Sequence, residues 1–250
     1  MNEDINTILV NTGNFLDGLQ ITLIATVLGA LLMFVISVVL GLMARSRRLL
    51  VRGVARTIIE FFRGTSLLVQ LWWFFYALPL MGFILDPLFC GVLALGLNYG
   101  AYGAEVVRGS INAVPRPQWE ASIALSLSPW VRMRRVIWPQ AVALMIPSFN
   151  NLFIQLLKST PLLFTITLTD LMFVGDALRQ AGTNEGIIYG FLLVVYFVLT
   201  YAFTLVFSAA EVRANKRLGR HAGFGSVFRS LRATRAADDE VSTMEKAGHA

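Results

Sequence analysis

Charge is scarce in this chain of 250 residues: Asp, Glu, Lys and Arg make up 14% of it, against roughly 25% in a soluble domain. Cysteine is nearly absent. The single Cys90 excludes an intramolecular disulfide, and no histidine lies near it in sequence to complete a zinc or thiol site. Histidine occurs only at His221 and His249, close to the C-terminal end, so a metal set or base at membrane depth has no parts to work with. A Gly-x-x-x-x-Gly-Lys-Ser/Thr phosphate loop is missing as well, which removes the usual device for nucleotide hydrolysis. The first residues are acidic and no basic stretch precedes an apolar one, so no cleavable signal peptide is expected.

Apolar residues are what the chain has instead, at 56% of the sequence with a mean hydropathy of +0.66. They gather into runs of about 20, and a helix of that length crosses ~30 Å of hydrocarbon while satisfying its own backbone. The pattern predicts an all-α integral membrane protein of about five transmembrane helices, near residues 19–43, 57–80, 87–107, 138–157 and 186–209. The net charge of +6 would suit a nucleic-acid partner, but its placement follows membrane topology. Basic residues fill the turns after the first and third runs and the tail after the fifth, while the opposite segments carry only Lys158 and Arg179. The positive-inside rule then puts the N-terminus outside and the C-terminus in the cytosol, which requires an odd number of spans. The expected organisation is an extracytoplasmic N-terminus at 1–18, a membrane domain at 19–212 and a cytosolic tail at 213–250. That tail is basic, then acidic around 238–240, and reads as a largely disordered extension or one lying on the lipid surface.

The cytosolic stretch at about 114–136 is the most informative. Pro115 and Pro117 end the third span and preset a helix start. A short helix follows through Glu120, Ala121 and Ser122, and the sequence breaks at Ser126, Leu127 and Ser128. Ser128 before Pro129 is a cap and first-turn pair, so a second helix is expected there, with Pro139 marking the start of the fourth span. Helix, break and helix make a rigid knob on the cytosolic side.

Those residues resemble the EAA loop of ABC importer permeases, whose pattern is Glu-Ala-Ala, three residues, Gly, nine residues, then Ile-x-Leu-Pro. The spacing from Glu120 to Pro139 is intact, with Ser122, Ser126, Val136 and Trp138 as departures. A serine where glycine is usual weakens a turn that needs positive φ. Phe62-Arg63-Gly64-Thr65-Ser66-Leu67-Leu68-Val69-Gln70 and Asn98-Tyr99-Gly100-Ala101-Tyr102-Gly103-Ala104-Glu105-Val106-Val107-Arg108-Gly109 resemble the second- and third-span signatures of the polar amino acid uptake branch. Pro139-Gln140-Ala141 and Leu156-Leu157-Lys158-Ser159-Thr160 extend the likeness, which covers about residues 15–213.

The resemblance implies a type I ABC importer in a bacterial cytoplasmic membrane. Two permease subunits, paralogues or copies, enclose a pathway; an ATPase dimer docks on the knobs through Glu120, Ala121, Ser122, Ser126, Val136 and Pro139. An extracytoplasmic solute-binding protein delivers the solute. The chain itself is then a transporter subunit, with no catalytic residue, cofactor or metal, and ATP is used by the partner. Lipid is its other partner and nucleic acid is not.

Polar residues within the runs divide in two. Glu60 with Arg63, and Glu105 with Arg108, are three apart and are read as structural ion pairs. Thr65, Gln70, Asn98, Asn150, Asn151, Gln155, Lys158 and Thr160 either line a pathway or link helices by hydrogen bonds, and the sequence leaves both open. Gly29, Gly41, Gly96, Gly100 and Gly103 are read as points of close helix packing. Ser159 stands where relatives often carry Asp, which disfavours a cationic solute, and the 60–71 string resembles ectoine and hydroxyectoine permeases. A passive channel or receptor subunit is the alternative reading, though neither needs a cytosolic coupling knob.

Overall fold

The computed structural model describes residues 2–217, with side chains for residues 6–206, and every regular element among them is helical. In chain order these are α1 (Asn2–Val10), α2 (Thr12–Met43), α3 (Leu49–Gly64), α4 (Leu67–Trp72), a π-helical segment (Trp73–Ala77), α5 (Leu78–Leu80) and α6 (Pro87–Asn112). Then come α7 (Arg116–Ala124), α8 (Pro129–Arg132), a second π-helical segment (Met133–Ile137), α9 (Trp138–Ser159), a 3₁₀ segment (Thr160–Ile166), α10 (Leu171–Gln180) and α11 (Glu185–Arg217). One compact unit ends at Phe207 and a second begins at Ser208. The expectation of a disordered tail falls on residues that, from 218 onward, lie outside the described ones.

Among the described residues, three stretches are long and apolar enough to cross a membrane: Thr12–Met43, Pro129–Ile166 and Glu185–Val206. The two other expected spans take different forms. The second is not one helix: Thr65 and Ser66 are both extended, which separates α3 from α4 and leaves Leu67–Leu80 as a shorter apolar stretch. The third is α6, where glycines, Asn98, Tyr99 and Tyr102 dilute the apolar content. Its cover comes from protein, with α2, α3, α4 and α9 packed around it. Cys90, Ala94, Leu95, Ala101, Ala104 and Val107 are wholly buried there. A central helix is selected for shape rather than hydropathy.

Two prolines shape the helical paths. Each π-helical segment ends two residues before one of them, at Ala77 before Pro79 and at Ile137 before Pro139. Proline lacks an N–H and its ring crowds the carbonyl four residues back; a widened turn relieves that contact and lets the helix continue. Pro139 therefore does not open the fourth span, as the sequence reading had it, but sits within one helical path from Pro129 to Ile166.

The seam between α2 and α6 is the tightest contact. A Cβ on Gly100 would lie 2.7 Å from Ile36 Cγ2, and one on Gly96 would run into Leu32. At Gly41 a Cβ would lie 2.7 Å from Val107 Cβ and 2.8 Å from the Ala104 carbonyl oxygen, which as backbone has little room to move. Beside Gly103, buried Ser37 places its Oγ 2.6 Å from the Met33 carbonyl and 3.2 Å from that of Gly100. Gly41→Ala is expected to cost about 1–3 kcal/mol by overpacking, read as a lower melting temperature of the purified protein. Gly53→Ala on α3, where a Cβ meets nothing within 4 Å, is expected to be neutral or to stabilise by up to about 1 kcal/mol. Equal effects from the two would show that the seam is not tight.

Candidate functional site

The loop between α6 and α9 is built by local rules. Pro115, with φ −55° and ψ 137°, leads into α7. That helix ends in a Schellman turn: the Leu127 amide donates to the Ser122 carbonyl at 3.1 Å and the Ser126 amide to the Ile123 carbonyl at 2.8 Å. The turn needs one left-handed residue, and Ser126 takes that conformation at φ 51°, where a side chain is strained and glycine is not. Ser128 Oγ then accepts from the Val131 amide at 3.4 Å, and Pro129 occupies the first turn of α8.

Glu120, Ala121 and Ser126 are exposed, as is Pro139, while Val136 is half-buried. Ser122 is buried and donates to the Trp119 carbonyl at 2.7 Å. The base of the loop is anchored: Val114 and Ile137 are buried with Trp119 and Val136 packed against the same cluster. The Arg45 guanidinium, from the turn after α2, stacks over the Trp119 ring at 5.7 Å. Gln140 donates to Gln118 Oε1 at 3.3 Å, tying α7 to α9. The tip is bare, with Ile123 56%, Leu125 72% and Trp130 71% exposed. An apolar tip on an anchored base is what a docking surface needs.

The predicted pathway residues fall into two places. Thr65, Gln70 and Asn98 come together at the break between α3 and α4, where the last carbonyls of α3 have lost their helical donors. Thr65 Oγ1 donates to the Phe61 carbonyl at 2.9 Å; Gln70 and Asn98 each donate to the Phe62 carbonyl at 3.1 Å. Gln70 also donates to Thr65 Oγ1 at 2.6 Å, and Tyr102 donates to the Arg63 carbonyl at 3.3 Å. Gln70 and Asn98 are buried, so their polar groups serve the break. Thr160 is buried too, donating to the Leu157 carbonyl at 2.8 Å.

Asn151, Gln155 and Lys158 are exposed on α9 at i, i+4 and i+7, which puts them on one face. Asn150 is half-buried beside them with its Oδ1 unpaired. Such a face gains nothing from hydrocarbon; it needs water, a solute or another protein surface. Of the ion pairs, Arg63 Nη1 lies 3.4 Å from Glu60 Oε1, and Arg108 Nε lies 3.1 and 3.0 Å from the two Glu105 oxygens. The Arg63 guanidinium also stacks over the Tyr102 ring at 5.4 Å.

Three residues to which the sequence reading gave no individual role make further contacts. Tyr102 serves the break. Tyr99 joins α6 to α9, its hydroxyl lying 2.6 Å from Ser159 Oγ and donating to the Gln155 carbonyl at 3.1 Å. Asp170 caps α10 by accepting from the Phe173 amide at 2.9 Å. A tyrosine inside an apolar run needs a hydroxyl partner, and an aspartate just before one is a cap signal; both signs were present.

Comparison with known proteins agrees with this architecture. Residues 37–220 match the family profile of the binding-protein-dependent transport system inner membrane component. The chain is 44% identical over 201 residues to the "Probable amino-acid ABC transporter permease protein y4tF" of Sinorhizobium fredii, covering 76% of this chain and 83% of that one. It is 31% identical to the L-cystine transport system permease protein TcyB of Bacillus subtilis, covering 81% and 87%. Among solved structures, a chain of an amino acid ABC transporter crystallised with histidines superposes with a TM-score of 0.78 at 33% identity, over 83% of this chain and 97% of that one. A chain of the MetNI methionine ABC transporter in an inward-facing conformation shares the fold, with a TM-score of 0.69 at 18% identity over 81% and 97%.

Gln70→Leu is expected to strip the half-buried Phe62 and Thr65 groups of a donor and to destabilise the protein by about 1–3 kcal/mol, read by thermal unfolding in detergent. An unchanged melting temperature would mean that water takes over the role of the amide.

Proposed function

The chain belongs to the family of inner membrane components of binding-protein-dependent transport systems, and we propose that it forms half of the translocation pathway of an ABC importer for amino acids or solutes built like them. It is a membrane permease subunit and not an enzyme; ATP hydrolysis belongs to a separate ATPase. On this reading it binds no cofactor and works with an ATPase dimer, a solute-binding protein and a second permease in the bacterial cytoplasmic membrane. Two permeases of Sinorhizobium fredii both match this chain, at 44% and 33% identity, which favours a paralogous second subunit over a second copy. Five crossings are the reading adopted, with the broken α3–α4 path and the glycine-rich α6 as the two that length and composition do not count. The knob side faces the cytosol and the start of α2 the exterior.

The observation that carries the reading is the knob, with its anchored base and bare tip of Ile123, Leu125 and Trp130. Closure of the ATPase dimer moves the tip. Because α8 runs without a break into α9, that motion reaches the face of Asn151, Gln155 and Lys158 as movement of one rod. The same rod is tied to α6 through Tyr99 and Ser159. Alternating exposure of that face to the two sides of the membrane is the transport step.

The solute is read from the same face. Lys158 offers a cation for a carboxylate. Its neighbour Ser159 brings no negative charge, and its hydroxyl is engaged by Tyr99. That pairing supports a zwitterionic or neutral amino acid or amino-acid-like solute, ectoine and hydroxyectoine among them, over a cationic one.

The test is ATP-dependent uptake in proteoliposomes holding the chain with its ATPase, second permease and binding protein, comparing labelled glutamine, ectoine and arginine. Uptake of glutamine or ectoine that arginine does not compete is expected; arginine alone as substrate would overturn the solute reading. Glu120→Lys is expected to abolish uptake at normal membrane levels, whereas Ser126→Gly, which keeps the Schellman turn and relieves its strain, preserves it. Full uptake by Glu120→Lys would rule out coupling through this residue. Lys158→Met is expected to lower uptake roughly tenfold or more, the worth of one charge-assisted hydrogen bond, while the ATPase still co-purifies.

A further inference from the structure

A buried polar cluster lies apart from the knob, the broken helix and the α9 face. Asp170 is 0% exposed. Its Oδ1 accepts from the Phe173 amide, but Oδ2 has no hydrogen-bond partner among the described residues. Tyr196 of α11 is in the same state: its hydroxyl is buried near Asp170, Thr22 and Thr160 and has no hydrogen-bond partner among the described residues. Orphaned buried polar atoms are rare enough to need a cause, and here two from separate helices share one site.

The neighbouring hydroxyls have no proton to spare for the carboxyl. Thr22 Oγ1 donates to the Gly18 carbonyl at 2.9 Å and accepts from the Leu171 amide at 3.2 Å. Thr160 Oγ1 donates to the Leu157 carbonyl at 2.8 Å. With both threonine protons committed, neither threonine donates to Asp170 Oδ2 or to the Tyr196 hydroxyl, and neither of those atoms has a bonded partner among the described residues. A carboxylate has nothing to give; a carboxylic acid has one O–H. The other ionisable groups on the elements around Asp170 are Asp17 on α2, Lys158 on α9, the Asp176–Arg179 pair on α10, and Glu185, Tyr189 and Tyr201 on α11. None of these is among the groups acting on Asp170, so among the described residues no cation offsets an ionic form of the buried carboxyl.

We propose that Asp170 Oδ2 is a proton-binding site, occupied while α10 is seated against α2 and α11 and vacated when α10 lifts into water. Desolvation has the same sign: burial pushes the carboxyl up to about 7, although backbone amides oppose it. In water the group returns to about 3.9. The seated state binds the proton more tightly, so its advantage is complete below about pH 4, declines as the pH rises through the interval, and levels off above about 7 where both states are ionised. On the topology proposed above, α10 lies at the end of α2 remote from the knob, so the exterior sets the occupancy. The identity of the transported solute does not enter.

The experiment is amide hydrogen exchange of the full chain in lipid nanodiscs, following the peptide that spans the start of α10, with rates corrected for the intrinsic effect of pH. The expected result is opening that becomes at least about tenfold easier between pH 5 and 7 and then flattens. In Asp170→Asn, which fills the same space but cannot ionise, the profile is expected to be flat. A second readout needs no variant: the infrared C=O stretch of a protonated carboxylic acid in protein labelled at aspartate, present at pH 5 and lost by pH 8. A flat wild-type exchange profile, or no carboxylic-acid stretch at pH 5, overturns the proposal.

Discussion

Inside an apolar layer a backbone carbonyl that leaves a helix must find another donor, because water is not there to serve it. The break at Thr65 and Ser66 is where this chain meets that demand. Phe61, Phe62 and Arg63 lose their helical partners at once, and four side chains answer: Thr65 from the break itself, Gln70 from α4, and Asn98 and Tyr102 from α6. Every donor that reaches the break from α6 fixes α3 against that helix. The same requirement explains the prolines. Pro79 and Pro139 each remove an amide, and the chain absorbs each loss by widening one turn rather than by ending the helix.

That arrangement makes α6 the reference against which other helices are set, and its composition follows. A helix surrounded by protein on several sides is limited by how closely its neighbours approach. Gly100 and Gly103 let α2 come near enough for Ser37 to reach the Gly100 carbonyl. Tyr99, one residue away, points to α9 and holds Ser159. Within six residues α6 therefore fixes α2 by small side chains, α3 by Asn98 and α9 by a hydroxyl. A Leu-rich span would meet the demand of hydropathy and lose all three.

The parts legible in the sequence were those written in local terms. The cap at Ser128, the proline that follows it, the ion pairs three residues apart and the short helix through Glu120, Ala121 and Ser122 each depend on neighbours in the chain. Ser126 illustrates the limit: spacing pointed to a turn needing positive φ, and a serine there left its shape open, yet the backbone adopts φ 51°. The break at Thr65 was not legible, because three of its four side-chain donors lie 8, 36 and 39 residues from the carbonyls they serve. Polar residues in an apolar run look alike until it is known which of them face a carbonyl. Gln70 and Asn98 do, whereas Asn151, Gln155 and Lys158 do not, and periodicity within α9 is what marks the second group as a face. The place of Asp170 before an apolar stretch marked a helix cap, but its burial comes from the packing of distant elements and could not be read locally.

The widened turn before Pro139 bears on how force crosses the molecule. A proline in mid-helix would ordinarily kink or break the path, and a hinge between knob and α9 would let the tip move without moving the polar face. Continuing the helix through a π-helical segment keeps the path intact from Pro129 to Ile166 while sparing the clash with the carbonyl of Arg135. Ile137 and Ala141 are buried in one cluster with Val107 and Ile111, which holds that segment against α6. Pro147 lies farther along, inside α9 between that grip and the polar face, and the helix runs through it. On the coupling proposed above, Trp130 at the start of this path and the face of Asn151, Gln155 and Lys158 farther along it belong to one continuous helix, whereas Leu125 ends α7 across the Ser126 turn.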